Sequence, residues 1–265
     1  MSKKKDKDKE KDKDKLAEGT LISHLLELRD RLLSAVVAII LVFIPAVIFR
    51  NQLFTMVSEP LRSKLPEGSV MVATTITGSF MIPIKLSLFF SLFAAMPWVL
   101  YQIWSFVAPG LYRHEKRFAV PMLVSSIVLF YAGIFFAYRF IFPVAFGFLM
   151  NSGPEDVKQL PEIGYAVDFV IRLLLAFGVA FEIPVVVVLL TLTGLVKVEK
   201  LSSARGYVII GIFVVAAVLT PPDPMSQLLM AIPMWLLYEA GVLAARLLSR
   251  KTPAESTDEN KSGAA

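Results

Sequence analysis

The chain has 265 residues, of which 56% are hydrophobic and 18% charged, and its mean hydropathy is +0.66; an ordinary soluble domain is nearer ~45–50% apolar, so the composition excludes one. There is no cysteine, which excludes disulfides, thiolate metal sites and cysteine nucleophiles. The net charge of +5 reads, in so apolar a chain, as lysine and arginine held in loops on one side of a membrane rather than as a nucleic-acid footprint.

Met1–Lys15 (MSKKKDKDKEKDKDK) alternates lysine with acids and has no apolar residue after Met1. It cannot bury enough surface to fold, and a disordered cytoplasmic tail is expected over 1–15. A secretory signal needs an apolar core and a small-residue cleavage site, which this stretch lacks. From Thr20 to Leu33 the pattern turns helical, with Leu21, Leu25, Leu28 and Leu32 on one face. At about 100° per residue, His24, Glu27 and Arg31 share the opposite face, and Arg29 falls on the apolar flank as a misfit that must reach headgroups or a carboxylate. On this helix alone, Glu27 reads as an ordinary i,i+4 pair with Arg31.

The first span is expected over about Leu32–Phe49, broken by Pro45. A polar connection of some thirty residues follows, with room for a small helix of its own. The second span is expected at about Thr77–Ile103 with Pro83, Lys85 and Pro97, and the third at about Phe118–Phe140, followed by a loop from Pro143 to Ala166. The fourth covers about Val167–Gly194. Tyr207–Leu219 spans only roughly 20 Å as helix, against a hydrocarbon core near ~30 Å. The turn Thr220–Pro224 (TPPDP) then sends the chain back through Ser226–Leu248. Such a hairpin should thin the membrane or be shielded by another protein.

Orientation follows from Phe106–Phe118 (FVAPGLYRHEKRF), a short loop carrying Arg113, Lys116 and Arg117, which the positive-inside rule places in the cytoplasm. Lys197, Lys200, Arg205, Arg246, Arg250 and Lys251 fall on the same side. The expected fold is therefore an all-α integral membrane protein of six kinked transmembrane helices forming a cupped bundle, the last two short, with N and C termini cytoplasmic. The membrane domain covers 16–250, and 251–265 is a disordered tail.

Glu182 is the one acid at unambiguous bilayer depth, and a carboxyl there must face a cavity or be neutralised. Thr220 and Gln227 flank the last turn, available either to a partner helix or to bonds within the hairpin. No phosphate-binding GxxxxGK[ST] loop is present, and the two histidines, His24 and His114, lie outside the spans without ligand spacing, so neither an ATP motor, a Ser-His protease nor a metal site is indicated, and no cofactor is expected.

Four stretches, HLLELRDRL (24–32), FVAPGLYRHEKR (106–117), FGVAFEIPV (177–185) and LTPPDPMSQ (219–227), resemble the TatC family of the twin-arginine protein translocase in order, over about Leu16–Arg250. The resemblance implies a plasma (inner) membrane receptor and scaffold, not an enzyme, which binds Arg-Arg signal peptides of folded precursors, organises the single-span subunits TatA and TatB, and multimerises with itself. By the same resemblance Glu27 and Glu115 contact the arginine pair, with Phe106, Arg29 and His24 beside them. Thr220 and Gln227 match the TatA/TatB docking site, Pro60 and Asp223 match outer-side positions, and Glu182 matches the intramembrane polar residue. Pro224 departs from the family by extending the turn. Arg113, Lys116 and Arg117 surround Glu115 with positive charge, which by itself disfavours a dicationic ligand, so that pairing rests on the resemblance. The alternative reading is a proton-coupled small-solute transporter that uses Glu182, although no internal repeat relates the two halves.

Overall fold

The computed structural model describes residues 2–62, 71–107, 119–152, 160–220 and 223–249, the side chains of 2–22, 60, 151 and 249 excepted. Apart from short connections, the described chain is helical: α1 Ser2–Ile48, α2 Arg50–Arg62, α3 Gly78–Val107, α4 Ala119–Phe136, a π turn Ala137–Ile141, α5 Phe142–Asn151, α6 Ile163–Ala180, α7 Ile183–Leu192, α8 Val198–Ser203, α9 Arg205–Leu219 and α10 Pro224–Ser249. Five helical stretches are long and apolar enough to cross a membrane, Ser23–Ile48, Gly78–Val107, Ala119–Met150, Ile163–Leu192 and Pro224–Leu248, and Arg205–Leu219 is a shorter sixth. Among the described residues the one extended pairing is a bridge between Val72 and Glu162, which clasps the connection before α3 to the start of α6.

Several expectations need correction. The backbone of Ser2–Lys15 continues α1, where an unstructured tail was expected; opposite charges three residues apart, as at Lys3 and Asp6 or Lys5 and Asp8, are compatible with helix. The third span does not stop at Phe140. A π turn absorbs an extra residue, the Phe142 N–H reaches the Ala137 carbonyl, and α5 starts afresh with Pro143 in its first turn, where a missing N–H costs nothing. Of the last two helices only α9 is short, at 15 residues, about 22 Å long. α10 has 26 residues, about 39 Å. The 251–265 tail lies outside the described residues. The small helix foreseen after the first span is α2.

The core is apolar as in a soluble protein, but the surface is apolar too, and a few small polar side chains are buried between helices. Leu25, Leu28 and Leu32, the apolar stripe of α1, are exposed, whereas Ser87, Ser91 and Ser126 are almost fully buried. α1 packs along α3, and α10 lies against α7 and α9. α4 crosses α6 at two glycines: a Cβ on Gly133 would sit 2.5 Å from the Phe177 carbonyl, and one on Gly178 would sit 2.7 Å from the Phe130 ring. Ion pairs tie helices at two further points, Lys85 to Asp168 across α3 and α6 and Arg205 to Glu239 across α9 and α10.

Prolines bend the spans, and each removes the N–H owed to the carbonyl four residues earlier. In α3, Pro97 frees the carbonyl of Phe93, and the Tyr131 hydroxyl of α4 donates to that oxygen at 2.9 Å. The Ala46 carbonyl, one of the last of α1 and not one freed by a proline, lies 3.2 Å from the Ser87 hydroxyl of α3, which also donates to the Pro83 carbonyl of its own helix at 2.9 Å. The bends leave an apolar cavity of about 510 Å³ between α2, α3, α4 and α6, walled by Phe89, Phe93, Tyr131, Phe135 and Tyr138 among others. Tyr131→Phe is expected to lower stability in mixed-micelle unfolding by roughly 0.6–1.7 kcal/mol, the range for a hydrogen bond inside a membrane protein. In a Pro97→Ala background the restored N–H takes the Phe93 carbonyl, and the same substitution should then cost nothing; an equal cost in both backgrounds would refute this role for the hydroxyl.

Candidate functional site

The polar face of α1 is turned toward the last two turns of α3. His24 stacks on Phe106 with ring centroids 4.3 Å apart and an interplanar angle of 23°. One turn further along α1, the Nε and Nη2 atoms of Arg31 both donate to Oε1 of Glu27, at 3.0 and 2.6 Å. The third guanidinium nitrogen, Nη1, points at the Gln102 side-chain oxygen 3.4 Å away. Gln102 in turn donates to the Ser34 hydroxyl at 3.1 Å, and so does the Trp98 indole at 3.2 Å. Among the described residues Oε2 of Glu27 makes no hydrogen bond, and its side chain is 39% exposed. His24, Glu27 and Arg31 thus share one face as the helical spacing predicts, and Phe106 joins them. Arg29 does not: it points away and pairs with its neighbour Asp30 at 2.7 Å, both well exposed. Glu115 lies outside the described residues, as do Arg113, His114, Lys116 and Arg117.

Glu182 sits where the fourth span is interrupted, between α6 and α7, because Pro184 cannot supply the N–H that a continuous helix needs. Its carboxylate lies near Ser126. The Ser126 hydroxyl also accepts the Trp104 indole N–H at 3.0 Å. Oε1 of Glu182 is buried with no hydrogen-bond partner among the described residues. The break therefore holds a half-buried carboxyl group whose Oε1 has no hydrogen-bond partner among the described residues.

At the opposite end of the bundle, Asp223 caps α10: its Oδ1 accepts the Ser226 N–H at 2.7 Å, and Pro224 occupies the first turn. Thr220 is buried and donates back to the Ala216 carbonyl at 2.8 Å. Gln227 donates to the Phe213 carbonyl across the turn at 3.3 Å. Both polar residues that flank the turn are thus engaged within the hairpin. Asp223 Oδ2 and Ser226 Oγ are buried without partners among the described residues. Pro60 lies in the backbone of α2, and its side chain is outside the described set.

Sequence reasoning did not single out Ser34, Trp98, Gln102, Trp104 or Ser126. Each is a polar or indole group inside an apolar span, and that is the signal that points to them, since such a group must find a partner on another helix. No group of His, Asp and Glu able to hold a metal ion is found among the described residues.

Removing a half-buried carboxyl that holds an unpartnered oxygen costs little structure, so Glu182→Leu is expected to leave mixed-micelle stability equal to or above that of the parent chain. Ser126→Ala, which strands the Trp104 N–H, should cost about 1 kcal/mol. A marked loss of stability in Glu182→Leu would make the carboxyl a structural group.

The profile of the family described as Sec-independent protein translocase protein (TatC) matches residues 23–233. The TatC proteins of Azotobacter chroococcum and Escherichia coli K12 are similar to the chain: the first is 52% identical over 237 residues, 89% of this chain and 93% of that protein. The second is 50% identical over 226 residues, 85% of this chain and 88% of that protein. A solved crystal structure of the twin arginine translocase receptor TatC superposes with a TM-score of 0.78 at 38% identity, covering 86% of this chain and all of that one. The chain is thus a multi-pass membrane component of the Sec-independent translocase rather than an enzyme, and it belongs to the TatC family.

Proposed function

We propose that the chain is the signal-peptide receptor and scaffold of its translocase, lying in the inner membrane with both termini and the Glu27 end in the cytoplasm. The observation that carries this reading is the half-exposed Glu27 carboxylate, one oxygen of which is unengaged among the described residues, set beside the His24–Phe106 stack at the point where α3 ends and the chain leads on to Glu115. Two carboxylates from separate segments meet two neighbouring guanidiniums. Arginine is preferred to lysine because its planar fork offers paired N–H groups to a carboxylate. The apolar part of the peptide then lies in the cup, against the cavity walled by Phe89, Phe93 and Phe135.

The Asp223 end of the hairpin serves the single-span partners TatA and TatB. Thr220 and Gln227 would exchange their internal bonds for bonds to a partner helix. α9 is shorter than a bilayer is thick, so a partner helix alongside it also covers a site where lipid fits poorly.

Photocrosslinking from position 115 to a precursor with an arginine pair tests the receptor reading directly, and no adduct would count against it. Glu27→Ala and Glu115→Ala should each weaken capture of an Arg-Arg peptide by about 10- to 100-fold, the value of one charge-assisted hydrogen bond. A Lys-Lys peptide should bind the unmodified chain poorly, and capture should weaken as salt is raised. Undiminished capture by both variants removes the proposal.

A further inference from the structure

In the described structure the Glu27 carboxylate already holds a guanidinium, that of Arg31. Arg31 places two nitrogens on one oxygen of Glu27. Its remaining nitrogen aims at a second, uncharged acceptor on the neighbouring helix, Gln102. The side-chain amide of Gln102 is oriented for this: its NH2 is committed to Ser34, itself fixed by Trp98, which turns the oxygen toward Arg31. Arg31 is only 26% exposed and straddles two seats, a charged one on its own helix and a neutral one across the α1–α3 interface.

We propose that Arg31 is a built-in competitor for Glu27, and that Gln102 is the seat to which its guanidinium retires when a ligand guanidinium arrives. This rests on the reading of Glu27 as a receptor carboxylate. The competitor is tethered and identical in chemistry to the group it yields to. Binding is therefore an exchange: one guanidinium leaves the carboxylate as another takes it, and the bonds lost are of the kind gained. Every ligand's apparent affinity falls by the same factor, the fraction of time for which Glu27 is free. The preference for arginine over lysine is unaltered, but the weaker ligand is pushed below useful occupancy. Gln102 limits the penalty by bonding the displaced group, whose charge would otherwise sit unpaired beside an incoming dication.

The test uses the full chain in nanodiscs and two fluorescent synthetic peptides that differ only in an Arg-Arg or Lys-Lys pair. Arg31→Met should tighten both peptides by the same two- to fivefold, about the scale of a half-exposed i,i+4 pair plus the lost like charge. Gln102→Ala should loosen both by about twofold, and this effect should vanish in the Arg31→Met background. Arg31→Met binding that is unchanged or weaker overturns the proposal, since that is what a structural role gives. So does a silent Gln102→Ala, which is what long-range repulsion alone gives, or an altered Arg-Arg to Lys-Lys ratio, which would put Arg31 in contact with the ligand. Glu27→Ala is the control: if it leaves capture intact, the receptor reading of Glu27 fails first. If it abolishes capture while the Arg31 and Gln102 variants behave as the parent chain, only the competitor is lost.

Discussion

A carbonyl released by a proline inside a hydrocarbon layer has no water to turn to, and much of this structure follows from where such carbonyls find donors. At Pro97 the Tyr131 hydroxyl of α4 supplies one to the Phe93 carbonyl. That donor comes from a neighbouring helix, so the bend is also a point of attachment between spans. A straight α3 would not need this bond. The cavity between α2, α3, α4 and α6 is walled by the bent stretch of α3 and by Tyr131 itself, so the hydroxyl that completes the backbone also borders the hollow that the bend creates.

The apolar surroundings also decide which parts of the fold were legible in the sequence. The spans could be counted because continuous apolar runs and the prolines within them are local signals. Their ends could not always be read. Pro143 looks like the start of a loop, yet it is harmless in the first turn of α5 once a π turn has restarted the helix. The leucine stripe of α1 reads as a buried face by the rule for soluble helices, and it is the exposed one. The return segment was read as Ser226–Leu248, within two residues of α10, and only its description as short fails; Arg246 to Ser202 at 2.8 Å and Tyr238 to the Leu201 carbonyl at 2.7 Å are contacts that only the folded α8–α10 corner provides.

The candidate site divides in the same way. Helical spacing alone puts His24, Glu27 and Arg31 on one face, and the face is real. It also flags Arg29 as a misfit, which the structure answers with the adjacent Asp30 rather than with the site. What periodicity cannot show is that the polar face meets α3, because that depends on where Gln102 and Phe106 arrive from another segment some seventy residues away. Thr220 and Gln227 were open between two uses, and in the described structure their bonds are internal ones.

α3 connects the two regions that the receptor reading needs. Its last turns carry Phe106 and Gln102 beside Glu27, and its middle carries Phe93 on the cavity wall, with Pro97 between. Phe106 and Phe93 are 13 residues apart, about 20 Å of helix. A peptide that fixed a charged pair at Glu27 and continued as a helix along α3 would need an apolar stretch of about that length to reach the cavity. Under the proposed receptor reading, the spacing within α3 would therefore set a requirement on a ligand that neither carboxylate can impose: polar at one end and apolar for some twenty ångströms beyond. Charge would then select the head, and the bent helix would measure the tail.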